Sequence, residues 1–492
     1  MRIGYKALVH FGSQVLVSVV GFLATFAIIN LGSEALLGEY STAIALGYFW
    51  LVFPAMAVKS GVTKRISEGV DQGEYLGAGI ALNVVVGVAA VAAVGALAFT
   101  VETLSGGVEV AGRTVTAGGT VFARVVGDHT LLLAALGLGA VVFGTAVAGI
   151  EGRKRVGTAG LLTAAERTGR TGVQVAALLA GYGLGALLFG PVVSLFALAV
   201  VGFLLLDVRP RLPDRHHFER IVEYVRYAWL GTLRSRVYGW MDTLVLSLFV
   251  GASLIGIYEA AWGVASLLSV FSVSIKRTLF PEVSELASDD DIERVRHFLG
   301  ESLVFGGLVV IPGLFGSLVI GQRVLQFYDP AITRGGGILA ILVGAYAVDV
   351  YASQFLNVVN AVDRPDIAYR VNAAFIGTNV VLNLVLVWQY GWYGAATATA
   401  LSASLRTVLG YRGVRTAIGR VGVPLGAIGR QVVAAVVMAA AVLAVNDATP
   451  RGRVWTLLLA GGGAAVYFGV LVVLSTRVRE KAFSVLPLDY SR

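Results

Sequence analysis

The chain alternates between long apolar segments and short polar breaks along its whole length. A bilayer core about 30 Å thick requires about 20 apolar residues per helix. Each such segment is predicted to be helical, because lipid offers no hydrogen-bond partners to an exposed backbone. The pattern therefore predicts an all-α membrane protein with about fourteen transmembrane helices, at roughly 8–30, 36–58, 76–100, 129–150, 161–181, 184–206, 226–250, 254–275, 298–320, 337–360, 368–388, 392–411, 429–446 and 454–475.

One short motif occurs at the start of both the second and the eighth predicted helix. Leu36–Tyr40 reads LLGEY and Leu254–Tyr258 reads LIGIY, an offset of 218 residues. A second related pair, YGLGA at Tyr182 and YGWYGA at Tyr390, opens the sixth and twelfth helices. Two repeated halves around a central site are typical of membrane transporters.

The repeat predicts two six-helix lobes in a pseudo-twofold arrangement, with the same orientation because each lobe has an even number of helices. The predicted parts are an N-terminal lobe, a cytoplasmic linker, a C-terminal lobe, and two additional helices with a cytoplasmic tail, at 1–206, 207–225, 226–412 and 413–492. In the loops, Asp289–Asp291 predicts a helix N-terminus, where carboxylates are favourable. The outer loop Val101–Asp128 has Gly-rich turns and is compatible with a short hairpin.

Composition excludes an ordinary soluble domain. Charged residues make up 14% of the chain, against about 25% in a soluble domain, and the mean hydropathy is +0.80. Most Lys and Arg residues fall in alternate loops, which predicts cytoplasmic termini in a cytoplasmic membrane. This distribution accounts for the net charge of +8, so no nucleic acid partner is expected. With no Cys and no ligand spacing among five His, no cofactor or metal is predicted, and His216 and His217 are expected to be solvated.

The most specific stretch is Arg370–Leu401, which reads RVNAAFIGTNVVLNLVLVWQYGWYGAATATAL. With its paired Asn379 and Asn383, the two LxGxY openings and Asp242 in the seventh helix, the chain resembles the polysaccharide flippases of the MOP exporter superfamily. The resemblance implies a V-shaped pair of lobes around a cavity. It also implies alternating-access export of a polyprenyl-diphosphate oligosaccharide, with membrane lipids and glycan-assembly enzymes as partners.

Well inside helix 7 lie Arg234, Arg236 and Asp242, whereas the positions of helix 1 that correspond to them are uncharged. Charges inside a membrane span are costly and usually functional. Arg234 is predicted to bind the substrate diphosphate, for which Arg offers bidentate donors. The alternative is a structural pair between Arg234 and Asp242, which lie about 80° apart on the helix. Arg236 points away from Arg234 and is expected to snorkel or pair elsewhere.

Three carboxylates inside or near spans are candidates for binding a coupling ion, Na⁺ or H⁺. They are Asp242, Asp349 midway along helix 10, and Glu259 near the outer end of helix 8. Asp349 and Glu259 are also suited to binding sugar hydroxyl groups. The alternative for both is a polar contact between helices.

Further candidates are polar side chains in helices 5, 11 and 12. Arg170 and Arg406 lie near cytoplasmic helix ends, where they either meet a diphosphate or anchor the helix at the interface. Asn379 and Asn383 are four residues apart and share one face of helix 11. They either line the cavity or join helices by hydrogen bonds.

Four functions are compatible with a chain of this kind. A lipid-linked oligosaccharide flippase requires a wide cavity that is cationic toward the cytoplasm. A cation-coupled drug exporter requires a tighter, more acidic cavity, and a lipid II-type flippase shares the fourteen-helix count. A membrane glycosyltransferase or polymerase requires a catalytic loop or soluble domain, which the short loops do not offer. The sequence favours the flippase.

Overall fold

The computed structural model is almost entirely helical and describes residues 19–47, 53–103, 108–110, 113–115, 119–268, 285–286, 291–475 and 479. Its helices are α1 (Val19–Leu31), α2 (Glu34–Leu46), α3 (Phe53–Ser67), α4 (Gln72–Thr103), α5 (Val121–Gly152), α6 (Val156–Leu179), α7 (Leu184–Leu204), α8 (Arg215–Phe249), α9 (Ala252–Leu267), α10 (Ile292–Gln326), α11 (Gly336–Ala361), α12 (Pro365–Tyr390), α13 (Trp392–Ile418), α14 (Leu425–Asn446) and α15 (Arg453–Leu474). A 3₁₀ segment, Pro330–Gly335, precedes α11.

The all-α, multi-pass class is confirmed. Within the described residues, eight helical segments are long and apolar enough to cross a membrane. Every predicted span overlaps a helix, and the second overlaps both α2 and α3, with residues 48–52 outside the described part. The total of fourteen spans stays a prediction.

The predicted linker 207–225 is partly helical, because α8 begins at Arg215. Asp214 and His217 form a reciprocal capping box, in which the Asp214 N–H donates to His217 Nδ1 at 3.1 Å. His217 is only 2% exposed, so the expectation that it is solvated is wrong. Its role as a cap explains why a polar, basic segment starts a helix here.

Two local predictions are confirmed, and one span starts earlier than expected. The outer loop contains an antiparallel hairpin of β1 (Val108–Val110) and β2 (Arg113–Val115). Asp291 caps α10 by accepting from the Arg294 N–H at 3.1 Å, whereas Asp289 and Asp290 lie outside the described residues. The α5 helix begins at Val121 and kinks at His129, the residue where the predicted span begins.

The two LxGxY motifs pack directly against each other. A Cβ atom on Gly38 would lie 1.9 Å from the Ala252 carbonyl oxygen, and one on Gly256 would lie 1.8 Å from the Glu34 carbonyl oxygen. The offset of 218 residues carries Glu34 onto Ala252 and Gly38 onto Gly256, so these two contacts are symmetric. Only glycine permits such a close approach of two helix backbones.

The chain divides into two compact units. One comprises Met1–Glu259 and Ile376–Ala395, and the other comprises Ala260–Phe375 and Ala396–Arg492. In the first, α3, α4, α5 and α8 share a core of Val62, Ile66, Leu76, Ala148 and Ile221. In the second, α10, α11 and α13 share a core of Leu299, Leu303, Phe355, Val359 and Val414, and α14 and α15 pack on α10 through Ile311, Ala434, Met438 and Tyr467. The predicted lobe boundaries differ from these units and stay a prediction.

Candidate functional site

Asp242 is the centre of a buried polar cluster in the first unit. It lies on α8 and is 4% exposed. Its Oδ2 accepts a hydrogen bond from the Tyr258 hydroxyl on α9, and its Oδ1 accepts one from Asn383 Nδ2 on α12 at 2.9 Å. A buried carboxylate is costly unless donors or a cation satisfy its oxygens. Two helices, α9 and α12, supply such donors here, so the fold itself provides hydrogen bonds to both carboxylate oxygens.

The paired asparagines of the signature stretch both belong to this cluster. Asn379 and Asn383 are 0% exposed. The Nδ2 of Asn383 lies 3.3 Å from Asn379 Oδ1 and 3.1 Å from the Asn379 carbonyl oxygen. Asn383 Oδ1 and Asn379 Nδ2 are buried without a hydrogen-bond partner among the described residues. Buried amide atoms nearly always have partners, so a water molecule or another ligand is expected to hydrogen-bond these two atoms.

A second carboxylate lies beside the first. Glu259 follows Tyr258 on α9, and its Oε1 accepts a hydrogen bond from the Thr243 hydroxyl, next to Asp242 on α8. Thr243 is 1% exposed and Glu259 is half-buried. At the α8–α9 contact, each carboxylate therefore accepts a hydrogen bond from a hydroxyl group of the other helix. Carboxylate, amide and hydroxyl oxygens are the ligands that hard cations prefer.

Arg234 and Arg236 lie about two turns before Asp242 on α8. Arg234 and Arg236 are both half-buried, and a guanidinium nitrogen of Arg236 contacts the Met56 sulfur on α3. Tyr258 and Asn383 hydrogen-bond the two oxygens of Asp242. The Arg234–Asp242 pair and the diphosphate role of Arg234 both stay predictions.

Asp349 and Arg406 form a buried ion pair in the second unit. Arg406 Nη1 on α13 donates to Asp349 Oδ1 on α11, and the side chains are 3% and 12% exposed. Ser353 Oγ lies 3.4 Å from both Asp349 Oδ2 and Arg406 Nη1, and the Arg406 Cζ lies 6.0 Å from the Phe375 ring centroid. This pairing supports the interhelical reading of Asp349. The two alternatives for Arg406, diphosphate binding and anchoring at the interface, both stay predictions.

Arg170 has a local partner. Its Nε lies 3.6 Å from Glu166 Oε1, one turn earlier on α6, and the side chains are 17% and 6% exposed. The i,i+4 spacing brings such side chains together on one helix face. Arg170 is thus largely buried beside an acid, and a role in binding diphosphate stays a prediction.

His216, His217 and Asp71 form another cluster, with ligand atoms within 4.8 Å of one another. His217 Nδ1 accepts the Asp214 N–H, so in the neutral ring the proton is on Nε2. That nitrogen lies 3.7 Å from Asp71 Oδ2. A protonated Nε2 is a donor, not a metal ligand, so the cap works against metal binding by His217.

Sequence reasoning found Asp242, Asn379, Asn383 and Glu259 but did not bring them together. It missed Tyr258 as a site residue, although the LxGxY repeat contains it. The signal was the tyrosine itself, a hydroxyl donor at the same place in both copies. Thr243 gave no signal beyond its position next to Asp242.

Comparison with known proteins supports the resemblance drawn from the motifs. The family of polysaccharide biosynthesis proteins matches residues 161–328. The "Probable flippase AglR" of Haloferax volcanii is 29% identical over 99% of this chain and 98% of its own. The "Probable low-salt glycan biosynthesis flippase Agl15" of the same organism is 25% identical over 72% of this chain and 71% of its own.

The fold is shared with solved transporter structures. "Lipid II flippase MurJ, inward closed conformation" superposes with a TM-score of 0.79 at 14% identity, covering 96% of this chain and 100% of the other. An inward-facing multidrug resistance MATE family transporter of the MOP superfamily superposes at 0.58 and 12% identity, covering 83% and 94%. The predicted resemblance to the polysaccharide flippases of the MOP exporter superfamily is confirmed.

Proposed function

We propose that this chain, as a polysaccharide flippase of the MOP exporter superfamily, moves a polyprenyl-diphosphate oligosaccharide across the cytoplasmic membrane by alternating access. The observation that supports it most is similarity along nearly the whole of both chains to a probable flippase, AglR. The glycan serves assembly of a surface polysaccharide or glycoprotein. Both termini are cytoplasmic, as the distribution of Lys and Arg favours. The chain acts as a transporter rather than an enzyme.

The substrate diphosphate is bound by arginines of α8. Arg234 and Arg236 are the half-buried cations of that helix, in a chain that offers few charges within its spans. A guanidinium group binds phosphate oxygens through two parallel hydrogen bonds. The charge of the diphosphate would offset the cost of these cations in an apolar environment.

The coupling ion is Na⁺, held at the Asp242 cluster. Asp242 supplies the single negative charge, and the amide oxygens of Asn379 and Asn383 supply neutral ligands. Rotating the Asn383 amide would turn its Oδ1 toward Asp242, an arrangement that is favourable when Na⁺ or a proton lies between the two oxygens. One carboxylate with neutral oxygens balances a monovalent ion. A divalent ion would require Glu259 as a second charge.

A reconstituted system tests the substrate class. We expect wild-type proteoliposomes to translocate a polyprenyl-diphosphate oligosaccharide, and Arg234→Gln to slow translocation at least about 10-fold, the effect of roughly 1.4 kcal/mol. Arg226→Gln, an exposed position on the same helix, is the matched control and should retain the wild-type rate.

The same vesicles separate the alternatives. Lipid II and a fluorescent organic cation are offered in parallel with the oligosaccharide lipid. Preferential transport of lipid II would replace the proposed substrate with that of a lipid II-type flippase. Export of the cation without any lipid transport would establish a drug exporter and overturn the proposal.

A further inference from the structure

A small basic pocket lies in the second unit where α10 ends and α15 begins. Its volume is about 210 Å³, below the roughly 300–1,000 Å³ of sites for drug-sized ligands. In the proposed orientation this end faces outward, opposite the cytoplasmic termini. The lining residues, none of them acidic, are Arg323, Gln326, Phe327, Pro330, Gly452, Arg453 and Thr456.

Two guanidinium groups are fixed in this pocket by backbone carbonyl oxygens. Arg323 is 7% exposed and donates to the Thr449 oxygen at 2.6 Å and to the Pro450 oxygen at 3.4 Å. Arg453 donates from Nε to the Phe327 oxygen at 3.0 Å. Carbonyl groups orient the buried guanidinium of Arg323 but carry no neutralising charge, so an anion in the pocket would stabilise it.

The N-terminus of α15 adds donors on the same side. The N-cap Gly452 has extended backbone angles and supplies no side-chain cap. The first N–H groups of a helix lack backbone partners and carry a partial positive charge. Thr456 does not cap this end, because its hydroxyl donates back to the Gly452 oxygen at 3.0 Å.

We propose that this pocket binds one phosphate-type oxyanion at the outer surface. Arginine forks and an uncapped helix N-terminus are two independent features that suit phosphate oxygens. The pocket is too small for a sugar chain and suits a single phosphate group. That group comes either from free phosphate or from the headgroup of an anionic lipid, and it is separate from the Asp242 cluster and from the arginines of α8.

Thermal melting of the purified full chain with inorganic phosphate, at constant ionic strength, tests this site. Binding to the folded state raises the melting temperature by mass action. Arg453→Gln should weaken phosphate binding at least about 10-fold. Arg451→Gln removes an exposed charge two residues away that does not line the pocket, and it should bind like wild type.

Gly452→Asp keeps the test decisive if loss of Arg453 impairs folding. A Cβ atom there meets only Trp455 Cδ1, at 3.8 Å, so the new carboxylate fits at the N-cap and occupies the anion site itself. We expect this variant to melt higher than wild type and to lose its response to phosphate. A phosphate response equal to that of wild type would overturn the proposal.

Native mass spectrometry distinguishes the two sources. Protein released from nanodiscs of phosphatidylglycerol or phosphatidylcholine is compared for wild type, Arg453→Gln and Arg451→Gln. Retention of phosphatidylglycerol that only Arg453→Gln abolishes assigns a lipid headgroup. A response to phosphate without lipid retention assigns free phosphate. Equal behaviour of both variants in both assays would overturn the site, whatever the transport assays show.

Discussion

Tyr40 and Tyr258 occupy the same place in the two copies of the repeat, but the hydrogen-bond partner of one hydroxyl is neutral and that of the other is a carboxylate. The Tyr40 hydroxyl accepts a hydrogen bond from Gln174 Nε2 at 2.8 Å, a neutral contact. The Tyr258 hydroxyl donates to the buried carboxylate of Asp242. The symmetric backbone contact is the same in both copies, so the difference lies in the partners of the tyrosine hydroxyl groups. The second copy therefore places its tyrosine on a buried carboxylate where the first has a neutral amide.

The largest loss of stability is expected at the symmetric backbone contacts of Gly38 and Gly256. Gly38→Ala and Gly256→Ala each place a methyl group less than 2 Å from a backbone oxygen that cannot move aside. We expect each to destabilise the protein by about 3 kcal/mol or more. Thermal melting followed by size-exclusion chromatography measures the loss. Gly239→Ala on α8, where a Cβ meets nothing within 4 Å, is the control. Tolerance of one substitution and not the other would contradict the symmetry.

Breaking the buried ion pair of the second unit should cost almost as much. Arg406→Met leaves Asp349 charged in a buried position, at a cost of roughly 3–5 kcal/mol. The double variant Arg406→Met, Asp349→Leu removes both charges and should regain most of that stability. A double-mutant cycle of melting temperatures measures the coupling. Additive losses would show that the two residues act independently.

Replacing each tyrosine by phenylalanine tests directly whether the two copies of the repeat differ in function. Tyr258→Phe removes a donor from a buried carboxylate and should cost about 1–3 kcal/mol while changing the Na⁺ dependence of transport. Tyr40→Phe should cost less than about 1 kcal/mol, because Gln174 keeps its bond to the Leu187 oxygen at 3.1 Å. Transport rates at several Na⁺ concentrations check both variants. An altered Na⁺ dependence in Tyr40→Phe would contradict the proposal that only the second copy binds the ion.

The smallest effect is expected at an exposed ion pair. The Arg153 guanidinium hydrogen-bonds both oxygens of Asp207, at 3.1 and 3.2 Å, and holds the pKa of that carboxyl below its usual range. A carboxyl group with a depressed pKa stabilises the folded state at pH values above its ordinary pKa of about 3.9. That stabilisation is lost as the pH falls through the pKa of the folded state. Asp207→Asn should lower the melting temperature by under about 2 °C at pH 7. The difference from wild type should shrink toward zero in acid.

The sequence predicts the spans and the repeat because both depend on local patterns. Apolar length specifies each helix, and Gly38 and Gly256 are visible as a repeated motif. The polar cluster around Asp242 is harder to predict from the sequence. Asp242 and Asn383 are 141 residues apart and meet only through the packing of α8 against α12. The Arg406–Asp349 pair is likewise a tertiary contact between residues that the sequence assigned to separate roles. The burial of His217 went unpredicted because a capping box between Asp214 and His217 draws a polar linker into helix α8.

The central claim is that the second copy of the repeat holds a sodium site that the first lacks. Equilibrium binding of ²²Na⁺ to the purified full chain tests it most directly, with Asp242→Asn beside Tyr40→Phe. The account predicts one saturable ion per chain in wild type and in Tyr40→Phe, and loss of that binding in Asp242→Asn. Wild-type binding that survives in Asp242→Asn, or no binding by wild type, would contradict it.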